Sequence, residues 1–357
     1  MSVEPANAAA ELDEAARAEV LLALTPEVGP ILRTRLIERF GDALAVTQAS
    51  ESDLQRVQGI GPKISQRIIN ARHEVQLDAQ LAIAREHGIT ILLPGWDGYP
   101  RLLREIPDPP GVLFVRGRLE AADQMAVAIV GTRRATRYGL QQAERLASGL
   151  ARAGLTVVSG MARGIDGAVH CGALAAGGRT IAVLASGVLN PFPPEHAALA
   201  DEIAAQGAVI SEAAPTMPPL AGMFPQRNRI ISGLAMGTIV VQAADRSGAL
   251  ITARHAMEQG REVFAVPGQV DSSVSSGPHR LLRDGAKLVT CVDDVLEELG
   301  PLAESAPDHR GGSIRVAAEL KLNDLEHAVL QAIDPEGTML DDVATAVARY
   351  CPTTVLA

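Results

Sequence analysis

From residue 125 onward, short apolar runs alternate with stretches of helical spacing, and that alternation leaves the chain few architectures. The runs are MAVAIV, LTVVSG, RTIAVLA, GAVIS, GTIVVQ, REVFAV and KLV. Between them the spacing predicts helices near 138–153, 165–177, 195–206, 226–235, 248–259 and 277–284. Strands that run continuously through Val, Ile and Ala, with no polar alternation, are covered on both faces. With helices as crossovers they form a parallel sheet. The expected fold class is therefore α/β, an extended Rossmann-like doubly wound parallel sheet. Such sheets bind ligands beyond the carboxyl ends of their strands, in the loops that open the helices.

The flanks read differently. Leu24 to Ile69 holds two similar halves, each a Gly-Pro hairpin followed by a helix with apolar spacing. One is Val28-Gly29-Pro30 followed by ILRTRLIERFG, and the other is GIGPKISQRII at 59–69. The second, preceded by LQRVQ, resembles a helix-hairpin-helix motif. Its glycines either let backbone N–H groups approach a DNA phosphate or simply turn the chain between two packed helices. Residues 1–88 are thus expected to form an N-terminal helical (helix-hairpin-helix/SAM-like) domain. Residues 89–119 are Pro-rich with two short extended pieces and read as an arm packing on the sheet domain, which runs over 89–299. Residues 300–318 are polar and rich in Gly, Pro and Ser, as in a linker. After it, DLEHAVLQAID and MLDDVATAV give two short helices over 319–357. They resemble a partial C-terminal winged-helix region that stops inside its recognition helix.

The chain has 357 residues, 47% hydrophobic but only 3% aromatic, so Ala, Val, Leu and Ile must fill the interior. No apolar run approaches the ~18 residues of a membrane span, and the acidic N-terminus lacks signal-peptide order. Cys171, Cys291 and Cys351 are far apart, which fits neither a disulfide framework nor a CxxC metal site. No metal or cofactor is expected, and a reducing cytoplasm is the expected location. The net charge of −10 divides unevenly: −5 over residues 1–125, +4 over 126–290 and −9 over 291–357. A basic middle between acidic flanks suggests an anionic partner for the middle.

The loops after the strands carry the chemistry. The first, 130-VGTRRATRYG-139, is neither GxGxxG nor GxxxxGK[ST]. It offers a glycine, the Thr132 hydroxyl, then Arg133, Arg134 and Arg137. The second is 159-SGMARGIDGAVH-170, the third 222-GMFPQRNRIISG-233, the fourth 245-DRSGALITARHA-256, in which Ser247 can cap a helix, and the fifth 276-SGPHRLLRDGA-286. Each combines a small or hydroxyl residue, a glycine, an arginine and a helix start. Helix N-termini present unpaired N–H groups and partial positive charge, which suit phosphate oxygens. Glycine is wanted at tight turns in any case, but Arg is the better fork for phosphate. Several such loops on one sheet edge suit a polymer backbone.

Catalytic signals are sparse. Asp166 and His170 stand at i, i+4 without a third ligand at readable spacing, and read as a helix-start carboxylate and a structural histidine. Glu212 ends a strand with no obvious carboxylate partner. His255 reads as packing or surface, and His279, next to Arg280, is a candidate ligand contact. GxSxG, HExxH and a paired Cys/His are all absent from the sequence. In the third loop, a helix beginning near Arg227 would place 227, 230, 231 and 234 on one face. Arg227 then points along the apolar stripe towards the ligand edge. Arg229, about 200° away, braces a neighbouring loop or reaches a second phosphate.

Four segments together are distinctive: AIVGTRRATRYG, VVSGMARGIDGAVHCGALAAGGRTIAVLASG, FPQRNRIISGL, and SGALITARHAMEQGREVFAVPGQ with HRLLRDGA. They resemble the DNA-processing protein A (DprA/Smf) family over roughly 90–290. The resemblance implies a single-stranded DNA-binding protein of natural transformation and recombination. It would protect incoming DNA, help load the RecA recombinase, act as a homodimer through the Rossmann domain, and catalyse nothing. Carried over by motif, the DNA site is Gly131, Thr132 and Arg133; Ser159, Gly160, Arg163 and Gly164; Phe224, Arg227, Asn228 and Arg229; and Ser247 and Gly248. Phe224 either stacks on a base or anchors its loop. The chain departs from the family's pattern at ASGVLNPFPP (185–194), at Ala249 and at Gly277-Pro278-His279, which bears on the contacts of the fourth and fifth loops. The alternative is a nucleoside-monophosphate phosphoribohydrolase of the lysine-decarboxylase-like family, whose PGGxGTxxE loop carries a catalytic glutamate. Here Ile251 and Thr252 fall where that acid would be, and Glu258 is almost two turns on.

Overall fold

The structure is a computed structural model that describes residues 12–300 and two further short strands. Six helices come first: α1 (Glu14–Leu24), α2 (Pro30–Phe40), α3 (Ala43–Gln48), α4 (Glu51–Leu54), α5 (Pro62–Glu74) and α6 (Leu77–Glu86). Strand β1 (Thr90–Leu92), the single turn α7 (Arg101–Arg104) and β2 (Leu113–Gly117) follow. The alternating part runs β3 (Ala126–Val130), α8 (Arg137–Arg152), β4 (Thr156–Ser159), α9 (Ile165–Ala175), β5 (Thr180–Val183), α10 (Ala197–Gln206) and β6 (Ala208–Ser211). It continues through α11 (Met223–Gly233), β7 (Gly237–Val240), α12 (Gly248–Glu258), β8 (Glu262–Ala265), α13 (Ser276–Arg283), β9 (Lys287–Leu288) and α14 (Val292–Leu299).

The nine strands lie in the order β1-β2-β6-β5-β4-β3-β7-β8-β9. From β6 across to β9 all pairings are parallel. The chain builds outward from β3 in one direction and then, from β7, in the other. The β3/β7 boundary is therefore the topological switch point, where two neighbouring strands send their following helices to opposite faces. The arm over 89–119 does more than pack on this sheet: β1 and β2 join it as antiparallel strands, β2 pairing with β6 from Phe114–Ser211 to Gly117–Ala208.

Both faces of the sheet are dry, as continuous apolar strands require. On one, Val127, Ile129, Val157 and Ile239 pack under Leu146 and Leu150 of α8 and Ile165 and Val169 of α9. On the other, Ala128, Val130, Val158 and Val183 pack under Ile230 and Ile231 of α11 and Leu250 and Ala253 of α12. Ile230 and Ile231 are at most 1% exposed, and burying each contributes roughly 1.5–3 kcal/mol. That packing fixes how α11 is turned, and hence where its arginines point.

The helical region has its own core around Leu22, Leu36, Leu54 and Ile68. Through Val20 and Leu81 it also shares one with Phe114 and Ala182 of the sheet. The two similar halves clasp each other. Arg35 of α2 donates to Gln58 O before the second hairpin at 2.9 Å, and Arg67 of α5 reaches Glu27 before the first at 3.0 Å. The described residues up to Val316 belong to one compact unit. Within the stretch read as a linker, strands β10 (Ala303–Pro307) and β11 (Ser313–Ala317) pair with each other. The partial winged-helix region expected over 319–357 lies outside the described residues.

Candidate functional site

At the switch point a crevice of about 560 Å³ opens between the loop after β3, the start of α11 and the loop after β7. Gly131, Thr132, Arg133 and Arg134 line one wall, Phe224, Arg227 and Asn228 the second, and Arg246, Ser247 and Gly248 the third. Asp166 lies at its floor. Four of the five loops singled out in the sequence thus meet at one place, the second through Ala162 and Asp166.

The loops are locked to one another before any ligand is considered. Thr132 N donates to Gln242 O at the end of β7 (2.7 Å), and Ile165 N donates to Thr132 O (3.3 Å). Gly164 has φ +76, and a Cβ there would stand 2.5 Å from Thr132 O. Asn228 Nδ2 donates to Gly248 O at 3.1 Å, tying α11 to the first turn of α12. Ser247 caps that helix, its Oγ accepting from Ala249 N at 3.3 Å. Gly248 alone of the expected site glycines has open space where a Cβ would be. The N-terminus of α12 therefore faces the crevice unobstructed, with the partial positive charge of a helix start.

The arginines divide sharply. Arg133, Arg134 and Arg246 are exposed and enter no salt bridge among the described residues. Arg227 is 5% exposed. Its Nη1 donates to Gly160 O at 2.6 Å and to Val183 O, carbonyls at the ends of β4 and β5. Its Nε is buried without a partner. Burial lowers its pKa to about 10, opposed by Asp166 and reinforced by Arg133, so it stays charged at neutral pH. Burial raises the pKa of Asp166, against the pull of Arg227, the Ala162 N–H, Arg133 and Ser159. The floor of the crevice is thus a buried guanidinium and carboxylate, with an open cationic rim above it.

Several expected contacts are elsewhere. Arg229 does not reach the crevice. It is 3% exposed and forks onto Glu212 at 2.9 and 2.7 Å, while its Nε meets Asp108 O at 3.0 Å. The fork fits a carboxylate bidentately, and so Arg229 braces its own helix against the loop after β6 and the arm. Arg163 turns to Glu195 on the surface. Ser159 is fully buried and donates to Ile129 O at 2.7 Å, joining β4 to β3. Gly160 is the seat of Arg227: a Cβ there would lie 2.6 to 2.8 Å from the guanidinium. His279 meets Gly268 O at 3.1 Å rather than the crevice.

His170 is buried with Nδ1 2.8 Å from Thr180 Oγ1. Thr180 gives its one hydroxyl hydrogen to Val157 O, so Nδ1–H of His170 donates and Nε2 carries a bare, partnerless lone pair. Burial lowers its pKa to about 3, furthered by His196 and Arg227. Among the described residues no group of three or more His, Cys, Asp or Glu is placed to hold a metal ion. Arg246 and Phe192 were not singled out from sequence. Arg246 could have been, since it immediately precedes the α12 cap. Phe192 could not, because its contact with Phe224 (ring centroids 5.8 Å apart) joins two distant loops.

A sequence model of the family DNA recombination-mediator protein A matches residues 90–300, the whole sheet with its arm. The chain belongs to that family. It is 44% identical over 225 residues to DNA processing protein DprA of Bacillus subtilis (strain 168), covering 63% of this chain and 76% of that relative. The X-ray structure of DNA processing protein A from Streptococcus pneumoniae superposes with a TM-score of 0.69 at 35% identity, over 79% of this chain and 97% of that one. The Helicobacter pylori family member, whose structure was described for its single-stranded DNA binding mode, matches with a TM-score of 0.54 at 30% identity. That match covers 60% of this chain and 96% of the other. The family's sheet and the crevice at its switch point therefore occur together in this chain.

Proposed function

We propose that this chain binds single-stranded DNA along the crevice, gripping phosphates rather than reading bases. The observation that carries the reading is the group of exposed arginines, Arg133, Arg134 and Arg246, without salt-bridge partners among the described residues, around the open N-terminus of α12. Free guanidinium forks and helix-start N–H groups together are the donor set a phosphate backbone takes. The family relationship and the H. pylori relative's binding mode support the same ligand. Within the site, Gly131, Thr132, Arg133, Asn228, Ser247 and Gly248 form the contact surface. Arg227 and Gly160 form its charged floor, and Arg229, Arg163 and Ser159 support the loops. The protein works in the cytoplasm as a homodimer through the sheet domain, shields DNA taken up or exposed during recombination, and passes it to RecA.

The hydrolase alternative draws no support from Glu258, which is exposed at the last turn of α12, beside His255 and outside the crevice lining. Fluorescence anisotropy with labelled oligo-dT tests the proposal. Replacing Arg133 and Arg246 together by Ala should weaken binding at least about a hundred-fold, since each contact to a charged group contributes on the order of 1.5–3 kcal/mol. Full affinity in that double variant, or release of free base from nucleoside monophosphates by the wild type, would refute it.

A further inference from the structure

Met161, in the loop after β4, has φ +63, the left-handed region in which an L residue's Cβ crowds the following carbonyl oxygen. Its side chain is fully buried, in the cluster that holds Val188, Ala200 and Ile203. The residues on either side of it grip the two buried charges of the crevice floor. Gly160 O accepts from Arg227 Nη1 at 2.6 Å, and Ala162 N donates to Asp166 Oδ2 at 3.2 Å. These groups belong to two consecutive planar peptides hinged at Met161, so its φ and ψ set the angle between them. The second peptide is held at its other end as well. Met161 O lies 2.9 Å from Nδ1 of His196, which immediately precedes α10. A carbonyl oxygen only accepts, so His196 Nδ1–H donates. Gly167 of α9 leaves room for the ring, since a Cβ there would stand 2.9 Å from His196 Cε1.

We propose that His196 is a positioning residue for DNA binding: it pins the Met161–Ala162 peptide and so keeps the loop after β4 in the turn that seats Arg227 and Asp166. The inference rests on the reading of the crevice as a phosphate site. His196 is outside the crevice lining and acts through the backbone. Strained backbone persists only where its surroundings over-determine it, and among the described residues this hydrogen bond is the one that fixes the Met161 carbonyl. Without it, Met161 returns to an ordinary backbone region and the peptide turns away. Ala162 N–H then leaves Asp166, and Gly160 O leaves Arg227. The freed carboxylate and guanidinium pair with each other, and the floor loses the positive charge it projects towards a phosphate.

The test measures oligo-dT affinity of the full chain by fluorescence anisotropy at fixed salt, with circular dichroism to check that each variant is folded. His196→Ala should weaken binding about two- to ten-fold, the range of one lost neutral hydrogen bond. His196→Asn, whose amide nitrogen takes the place of Nδ1, should restore it. His196→Gln, whose amide nitrogen takes the place of Nε2, should bind as weakly as His196→Ala, and serves in its place if the Ala variant does not fold. Wild-type affinity in His196→Ala or His196→Gln, or an Asn variant no tighter than these, overturns the positioning role and leaves the phosphate reading standing. Wild-type protein that binds no oligo-dT removes both.

Discussion

Arg227 and Arg229 stand two residues apart on α11, and their surroundings give them different tasks. Arg229 is fully engaged by Glu212 and Asp108, a buried pairing whose disruption costs fold stability rather than a ligand contact. Arg227 is engaged only by strand-end carbonyls, so its charge has no direct carboxylate hydrogen bond and projects into the crevice above Asp166. Burial holds His170 neutral in this interior. Its folded pKa of about 3 lies below its ordinary value of 6.5. The stability it contributes is present above pH 6.5 and is lost as pH falls towards 3, because the unfolded chain takes the proton first. Between pH 7 and pH 4.5 this costs roughly 3 kcal/mol. Urea unfolding at the two pH values should show that loss, and His170→Asn, which keeps the donor to Thr180, should reduce it; an equal loss in both proteins would contradict the assignment. Such roles were only partly legible in the sequence. The helical spacing aims Arg227 at the ligand edge, and it lines the crevice. In the sequence Gly160 looks like a phosphate glycine; in the structure its missing side chain makes room for Arg227, a partner far along the chain that no local pattern reveals. Glu212 showed no carboxylate partner in sequence because its partner is a cation, Arg229.

At the scale of elements, period and punctuation placed the helices well. α8, α9, α12 and α13 begin within a residue of their expected starts. α11 begins earlier, at Met223, because Pro225 falls in its first turn, where a missing N–H removes no helical hydrogen bond. That shift moves Phe224 onto the helix and beneath Arg133. β1 and β2 were legible as extended pieces but not as sheet members, since their pairing depends on β6 presenting an antiparallel edge from another part of the chain. α12 offers the sharpest test at this scale, because its cap and its ligand end are the same residue. Ser247→Asp keeps a good N-cap but puts a negative charge at the crevice. It should leave the melting temperature within a few degrees of wild type and reduce oligo-dT affinity by roughly ten-fold or more, as a lost charged contact does. An unchanged affinity would mean that DNA does not approach this helix end.

At the scale of the molecule, the doubly wound order concentrates the loops. Because the chain grows outward from β3 and then from β7, the loops after these two neighbouring strands part at the switch point, and α11 closes the third side. A chain with a net charge of −10 thereby presents cations at one edge while its acidic residues gather towards the two ends of the sequence. Binding governed by that edge must depend on salt, because each phosphate neutralised on a single strand releases condensed counterions. The decisive measurement is the slope of log K against log salt for oligo-dT, in the wild type and in the Arg133→Ala, Arg246→Ala double variant. The wild type should weaken linearly, by about 0.7 in slope for each phosphate contacted, and the double variant should be shallower by roughly 1.4. A wild-type slope near zero, or equal slopes in the two proteins, would contradict the claim that these arginines hold the DNA backbone.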